Sequence, residues 1–247
     1  MYVKKGENAF NLFDGKFVCA PRGLGPLTCD RTIPKAWETF RFVDPESVGE
    51  YLGIRGQGEA ALENRVAALI EASEPVCLHF GCGHHRLDGF LNIDKFSHFG
   101  GSADYFLFDF TMKRWPIPDG SVDYVYSEDF IEHIPQRSQV AFLAEAFRVL
   151  KPGAYHRVST PCLVDSMKEH SDFSKGLEGV YYGEFDSHGH VSIFTRGLMS
   201  DLGLAIGYRQ VFFTAKNCGS SPHAVGDRRP GDDRNDATGN IFADLLK

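Results

Sequence analysis

The sequence predicts an α/β fold in which helices cover both faces of a largely parallel central sheet. Two observations carry this prediction. Between residues 75 and 160, short apolar runs of strand length alternate with segments of helical periodicity. The first three of these runs end at, or are followed directly by, a glycine or an acidic residue. This is typical of strands that lead into ligand-binding loops. The length of 247 residues suits one such domain with additions.

The individual elements follow from the same pattern. Four apolar runs are predicted as strands, each followed by a polar residue or glycine: 76–80, 90–94, 105–108 and 122–126. A helix over 136–150 stops at Lys151-Pro152-Gly153, and a strand follows over 154–160. A further helix is predicted over 195–204, with strands over 208–213 and 241–246.

The first 74 residues differ in composition from the rest. They are rich in aromatic residues and interrupted by proline and glycine, with one clear helix over 59–72. Its apolar residues recur at helical spacing: Ala61, Leu62, Val66, Leu69 and Ile70. We therefore expect residues 1–74 to form a cap or lid, and residues 75–247 to form the main domain with a substrate-side insertion over 161–207.

Composition and charge limit the classes of binding partner and the compartment that we expect for this protein. The formal net charge is −7, and no cluster of lysine and arginine is longer than a pair, so nucleic acid is not an expected partner. No apolar run approaches the ~20 residues that a membrane-spanning helix needs, and no signal peptide is evident. The six cysteines are scattered and form no CxxC pair, which favours a cytoplasmic protein with reduced thiols. The oligomeric state stays open.

Three successive strand ends offer groups that suit an adenosyl ligand. The turn Gly81-Cys82-Gly83 lets the backbone approach a ligand closely and expose N–H donors. Asp94 at the next strand end can accept hydrogen bonds from both ribose hydroxyls. Asp109 can accept one from the adenine amino group, while the Phe110 ring packs on the base.

Nicotinamide dinucleotides fit this turn less well. Their fingerprint requires a third glycine at position 86, where this chain has Arg86. The segment after Gly83 also lacks the GK[ST] of a phosphate-binding P-loop. A nicotinamide-dependent oxidoreductase is therefore the weaker alternative.

Longer strings resemble one family. LHFGCGHHRLDGFLNID is similar to the first two motifs of class I S-adenosylmethionine-dependent methyltransferases of the type 11 group. PDGSVDYVYSEDFIEHI, FLAEAFRVLKPGA and RVSTP resemble that group's fourth strand, the following helix and the fifth strand. The resemblance implies a Rossmann-like sheet with an antiparallel last strand. It also implies methyl transfer from S-adenosylmethionine to a small-molecule acceptor, a metabolite or sugar-like compound, with S-adenosylhomocysteine as product.

The resemblance also implies roles for single residues. It assigns the methionine part of the cofactor to Gly81 and Gly83, with Cys82 and His84 adjacent, and includes His79 and Phe80 in the cofactor-binding segment. Asp94 would hold the ribose and Lys95 would flank it. Asp109 and Phe110 would hold the adenine, and Ser127 and Glu128 would lie near the methionine moiety and the transferred methyl group. Two departures stand out. His79 occupies a position where an acid is usual, and Asp94 follows Gly81 by only 13 positions, which leaves room for a compact loop rather than a full helix.

Catalysis is predicted to need alignment and modest help from a base. His133, which follows Glu132 after the fourth strand, and His190 in a polar segment are the two candidate bases. No metal is predicted, because neither the pair His84 and His85 nor the pair His188 and His190 has carboxylate or cysteine ligands at fitting spacing. A methyltransferase fold that binds the cofactor without transferring its methyl group is the remaining alternative.

Overall fold

The fold was analysed in a computed structural model. It describes residues 2–3, 10–11, 17–19, 28–31, 45–83, 85–95, 104–111, 113–165, 189–227 and 240–247, with side chains from residue 58 onward. The chain divides into two compact units, residues 1–53 and 54–247. In the first unit, four short strands form an antiparallel sheet in the order β1-β2-β3-β4: β1 (Tyr2–Val3), β2 (Phe10–Asn11), β3 (Phe17–Cys19) and β4 (Thr28–Arg31).

Helix α1 (Pro45–Glu71) starts well before the predicted helix. Leu62, Val66 and Leu69 lie in the core of the larger unit, whereas Ala61 and Ile70 are exposed. Because this half of the helix packs into that core, the larger unit begins at residue 54, ahead of the boundary that composition suggests. The role of the first residues as a cap or lid stays a prediction.

The larger unit is built on one seven-stranded sheet in the order β10-β11-β9-β8-β5-β6-β7. Its strands are β5 (Cys77–Phe80), β6 (Leu91–Asp94), β7 (Tyr105–Leu107), β8 (Val122–Glu128), β9 (Leu150–Pro161), β10 (Gln210–Phe213) and β11 (Asn240–Leu246). Strands β5 to β9 pair in parallel, and β11 pairs antiparallel with β9 and β10. The predicted fold class is confirmed, including the antiparallel last strand.

Two helices connect strands of the sheet. Helix α2 (Gln136–Val149) lies between β8 and β9, and helix α3 (Arg196–Ile206) lies between β9 and β10. Helical spacing predicts an inward face made of Val140, Leu143, Ala144, Phe147 and Leu150. Helix α2 instead buries Phe142, Leu143, Ala146 and Val149, so its inward face is rotated from the predicted one and Val140 is exposed. The aromatic rings of Phe80, Phe110, Trp115 and Phe142 meet in the main core. Among the described helices, none is both long and apolar enough to cross a membrane.

The strands that follow β5 in the chain lie on both sides of it in the sheet, and this arrangement locates the candidate site. Strands β6 and β7 follow on one side of β5, whereas β8 and β9 lie on the other. The order therefore reverses between β5 and β8. Ligands of open parallel sheets bind at such a switch point, beyond the carboxyl ends of the strands. Here that region holds Gly81–Gly83 and the turn after Glu128.

Candidate functional site

The turn after β5 is shaped by two glycines in the left-handed region, Gly81 with φ +66° and Gly83 with φ +51°. A Cβ at Gly81 would lie 2.6 Å from the Phe130 ring, whereas a Cβ at Gly83 would meet no heavy atom within 4 Å. Gly81 is therefore required by packing against the segment that follows β8. Gly83 leaves open space beside its Cα, where a ligand can approach the backbone.

The backbone N–H groups of this turn do not point outward as predicted. Those of Gly81 and Cys82 donate to the carbonyl of Ile93, at 2.9 and 3.4 Å, and that of Gly83 donates to Asp94 Oδ2 at 2.8 Å. The turn thus closes against the neighbouring strand β6. What the turn offers a ligand is close approach at Gly83 rather than a row of exposed donors.

Asp94 lies at the end of β6, as the sequence predicts, and its side chain is buried. The bond from Gly83 fixes the carboxylate against the glycine turn. A buried and oriented carboxylate next to a turn with open space fits the ribose of an adenosyl ligand, because a charged acceptor makes strong hydrogen bonds to hydroxyls.

Asp109 and Lys95 form an ion pair of 2.8 Å at the partly exposed ends of β7 and β6. The other Asp109 oxygen accepts bonds from the Thr111 amide and hydroxyl, at 3.2 and 2.6 Å. Partial burial raises the pKa of Asp109, but the hydrogen bonds from Lys95 and Thr111 outweigh it and leave the pKa below its ordinary value. Asp109 is therefore an ionised acceptor, and its contact with an adenine stays a prediction.

The two predicted phenylalanines are core residues. The Phe80 and Phe110 side chains are buried and their ring centroids lie 4.9 Å apart. Phe110 also packs against Phe130 and Phe142, with centroids 5.2 and 6.0 Å apart. The prediction that the Phe110 ring packs on an adenine is not met in this conformation, because the ring fills the hydrophobic core.

His79 lies in the core below the glycine turn and contacts Asn92 and Tyr126. Its side chain is buried beside Tyr126, and Nδ1 lies 3.1 Å from Asn92 Oδ1. The Asn92 amide nitrogen donates to the carbonyls of Leu87 and Phe90, so its oxygen is the acceptor and His79 Nδ1 carries the proton. His79 thereby holds the loop that follows the glycine turn, and its predicted contact with the cofactor is not supported.

Ser127 and Glu128 divide between the core and the surface. The Ser127 hydroxyl is buried and lies 3.4 Å from His156 Nε2, so it faces the core instead of the predicted methyl group. Glu128 is half-buried, and its carboxylate accepts a 3.0 Å bond from the Tyr126 hydroxyl. Burial and this carboxylate raise the pKa of Tyr126, which therefore stays protonated.

Cys82 and His84 complete the predicted cofactor set. Burial raises the pKa of the Cys82 thiol to about 12, and Asp94 adds to the effect, so the thiol is not a nucleophile at neutral pH. Its place beside the cofactor stays a prediction. His84 and His188 lie outside the described residues. Arg86 stacks on the Tyr105 ring, 3.9 Å from its centroid.

The two predicted bases meet although 57 positions separate them in the chain. His133 ends a 3₁₀ helix (Ile131–His133), and its ring centroid lies 4.8 Å from that of His190. Glu132 directly precedes His133 in the chain, and its Oε1 is 4.0 Å from His190 Nε2. His133 is exposed, whereas Glu132 and His190 are buried.

Hydrogen bonds hold these three residues together. The Glu132 carbonyl accepts the amides of Val191 and Ser192, at 2.9 and 3.3 Å, and its carboxylate Oε2 accepts the Thr160 hydroxyl at 3.0 Å. Sequence reasoning missed Thr160 and Asn92, because both read as ordinary strand residues. The adjacent Glu132-His133 pair was the available signal for the cluster, but nothing local connects it to His190.

Comparison with known proteins adds a family. Residues 93–158 match the model of the type 11 family, described as a methyltransferase domain. The matched stretch runs from the end of β6 into β9. A probable S-adenosylmethionine-dependent methyltransferase from Mycolicibacterium smegmatis is 33% identical over 151 residues, which cover 55% of this chain and 51% of that protein. The chain thus matches about half the length of this curated relative.

Two solved structures are similar to this chain over most of its length. A SAM-dependent methyltransferase from Archaeoglobus fulgidus is 13% identical and aligns over 83% of this chain and 100% of its own, with a TM-score of 0.49. A possible histamine N-methyltransferase from Thermotoga maritima is 15% identical and aligns over 82% and 96%, with a TM-score of 0.44. The strand order described above carries the fold assignment without them.

Proposed function

We propose that this protein transfers a methyl group from S-adenosylmethionine to a small-molecule acceptor. The observation that carries the proposal is Asp94, a buried carboxylate fixed by the Gly83 amide at the end of β6, beside open space at Gly83. Asp94 would hold the ribose, and Asp109 with Lys95 would hold the adenine. The matched methyltransferase domain supports the same cofactor.

The acceptor would lie on the side of β8 and β9. S-adenosylmethionine, when bound, supplies an electrophilic methyl group, so the protein chiefly has to align the acceptor and exclude water. His133 and His190 remain the candidates for taking a proton from the acceptor. A small molecule is favoured over nucleic acid because the net charge is −7 and the chain has no long cluster of lysine and arginine.

Titration calorimetry with S-adenosylhomocysteine tests the cofactor site. Asp94→Asn keeps an oxygen that can accept the Gly83 amide but removes the charge that strengthens hydrogen bonds to ribose. We expect about tenfold weaker binding, which corresponds to roughly 1.4 kcal/mol. Asp201→Asn, on the exposed face of α3, is the matched control and should bind as the unchanged protein does.

Two outcomes would contradict this assignment. Equal affinity in Asp94→Asn and the unchanged protein would mean that the ribose is held elsewhere. Failure of a folded sample to bind either S-adenosylmethionine or S-adenosylhomocysteine would reject the function. Binding without turnover across a broad screen of acceptors would favour the alternative of a cofactor-binding protein that lacks transferase activity.

A further inference from the structure

The cluster of Glu132, His133 and His190 has the composition of a metal site. Each residue offers one ligand atom, a carboxylate oxygen or an imidazole nitrogen, and these atoms lie within 4.8 Å of one another. Two imidazoles and one carboxylate are a common ligand set of catalytic zinc and of other divalent transition metals. The cluster therefore differs from a group of acidic side chains at a surface.

The distance between Glu132 and His190 is close to the one that a bound ion requires. With bonds of 2.0–2.2 Å to nitrogen and oxygen, two ligands of a tetrahedral zinc ion lie about 3.4 Å apart. Glu132 Oε1 and His190 Nε2 are 4.0 Å apart. A contraction of about half an ångström, within reach of side-chain rotation, would bring this pair into ligand geometry.

The carboxylate is oriented for this role by a neighbouring hydroxyl. Thr160 on β9 donates to Glu132 Oε2 at 3.0 Å, and Oε1 is the oxygen nearer to His190. A hydrogen-bonded carboxylate with one oxygen directed at the ion is typical of metal centres, where such outer contacts fix the ligand. Glu132 and Thr160 are both fully buried, so the arrangement is set by the core.

The backbone holds the third ligand in place. Bonds from the Val191 and Ser192 amides to the Glu132 carbonyl fasten the segment that carries His190 onto the 3₁₀ helix. The Gln139 amide reinforces this contact, because it reaches both the Ile131 carbonyl, at 3.0 Å, and the Ser192 hydroxyl. The two histidines are thus brought together by main-chain bonds, before any ion binds.

The cluster also lies close to the proposed cofactor turn. Phe130, which directly precedes the 3₁₀ helix, is the residue whose ring excludes a Cβ at Gly81. Three protein ligands leave coordination positions open for other oxygen or nitrogen donors. His133 is exposed, so one of the three ligands lies at the surface of the described structure.

We propose that Glu132, His133 and His190 bind one divalent transition-metal ion, with zinc as the best match, and that its open positions hold a hydroxyl or carboxylate oxygen of the acceptor. Binding of the ion is independent of the function proposed above, whereas its use in orienting an acceptor rests on that function. With the ion bound, the two imidazoles serve as ligands and not as bases.

Zinc binding to the chelator-treated full chain tests the site. Titration calorimetry should show one Zn²⁺ per chain, and Co²⁺ should give visible absorption bands that report nitrogen and oxygen ligands. Glu132→Gln and His133→Gln should each weaken Zn²⁺ binding at least tenfold. His223→Gln, a half-buried histidine outside the cluster, is the matched control and should leave Zn²⁺ affinity unchanged.

His133→Gln keeps the test informative if the buried Glu132 variant does not fold. A plain Glu132–His190 ion pair does not need His133, so an undiminished Zn²⁺ affinity in His133→Gln would overturn the proposal. Absence of Zn²⁺ and Co²⁺ binding would overturn it as well. S-adenosylhomocysteine is titrated in parallel. A protein that binds S-adenosylhomocysteine but does not bind Zn²⁺ rejects only the metal site. A protein that binds Zn²⁺ but does not bind S-adenosylhomocysteine rejects only the proposed cofactor.

Discussion

Gly81 is the residue at which local conformation and packing impose the same requirement. Its φ of +66° disfavours any side chain, and the Phe130 ring occupies the space that a Cβ would need. Gly120 has a similar φ of +61°, but its nearest neighbour is the Leu150 carbonyl oxygen at 4.0 Å. The two glycines therefore separate the cost of backbone strain from the cost of a clash.

We expect Gly81→Ala to destabilise the protein more than Gly120→Ala does. Both changes place a Cβ in the left-handed region, which costs about 1–2 kcal/mol. Only Gly81→Ala also forces the Phe130 ring to move, which adds roughly 1–3 kcal/mol. Urea unfolding at neutral pH measures both variants, and an equal loss in the two would show that Phe130 yields without cost.

Asp94 and His79 show how a residue's type and its partner together set its role. Asp94 meets the expectation for a strand-end acid because it is buried next to the glycine turn. His79 takes the place of a usual acid but bonds to Asn92, which in turn binds Leu87 and Phe90. The histidine therefore stabilises the loop by an internal route.

At the scale of elements, the loop between β5 and β6 confirms the prediction drawn from its length. Residues 81–83 and 85–90 contain no helix. The Asn92 side chain satisfies backbone groups of this loop that would be bonded internally in a helix. It accepts a hydrogen bond from the Leu87 amide and donates one to the Leu87 carbonyl. The loop is thus short and still has bonded backbone groups.

A series of buried polar side chains connects β8, β9 and α2. It runs from Ser127 on β8 to His156 on β9, with Nε2 at 3.4 Å, and on to the Tyr208 hydroxyl, 3.4 Å from Nδ1. Tyr208 then donates to the Leu143 carbonyl of α2 at 3.1 Å. Burial lowers the pKa of His156 to about 3, so the imidazole is neutral in the folded protein.

This histidine should make the protein less stable as the pH falls below 6.5. The pKa of His156 is about 3 when folded and 6.5 in its reference state, so between these values the unfolded chain binds more protons. Stability is therefore highest above pH 6.5 and is lost as the pH falls toward 3, by up to about 1.4 kcal/mol per pH unit.

The contribution of His156 can be isolated by comparing unfolding free energies at pH 7 and pH 5. We expect the difference to be about 2 kcal/mol smaller in His156→Gln than in the unchanged protein. The exposed His85→Gln serves as the control. If His156→Gln retained the full pH dependence, the neutral buried imidazole would not be its source.

At the scale of the whole molecule, Arg157 ties the last third of the chain to the sheet. It is buried on β9, and its guanidinium contacts Asp227 at 2.8 Å and Asp244 on β11 at 3.3 Å. It also donates to Thr214 and to the Ala215 carbonyl. Burial lowers the pKa of Arg157, but hydrogen bonding to Asp227 outweighs this and raises it.

Arg157→Met should therefore be one of the most destabilising changes in the protein. It leaves two fully buried carboxylates without their cation, and breaking such an arrangement costs about 3–5 kcal/mol. Urea unfolding measures the loss, with the exposed Arg209→Met as control. A variant as stable as the unchanged protein would mean that the two acids are accommodated without the guanidinium.

The sequence by itself determined the sheet and the edge at which the proposed cofactor site lies. Apolar runs of strand length leave little choice when their side chains must be buried on both faces, and the predicted strands of the larger unit are all present. Gly81, Asp94 and Asp109 lie at strand ends because the carboxyl ends of parallel strands share one edge. Period and position along the chain are local properties, so they can be recognised from sequence.

Only the tertiary structure decided which way each side chain of the site faces and what it meets. It turned the amides of Gly81–Gly83 toward β6, placed Phe110 and Ser127 in the core, and brought His190 to Glu132 and His133. The last contact depends on main-chain bonds between Glu132 and residues 191–192, distant in the chain. No local pattern encodes such a contact, because it arises only when separate elements pack against the same core.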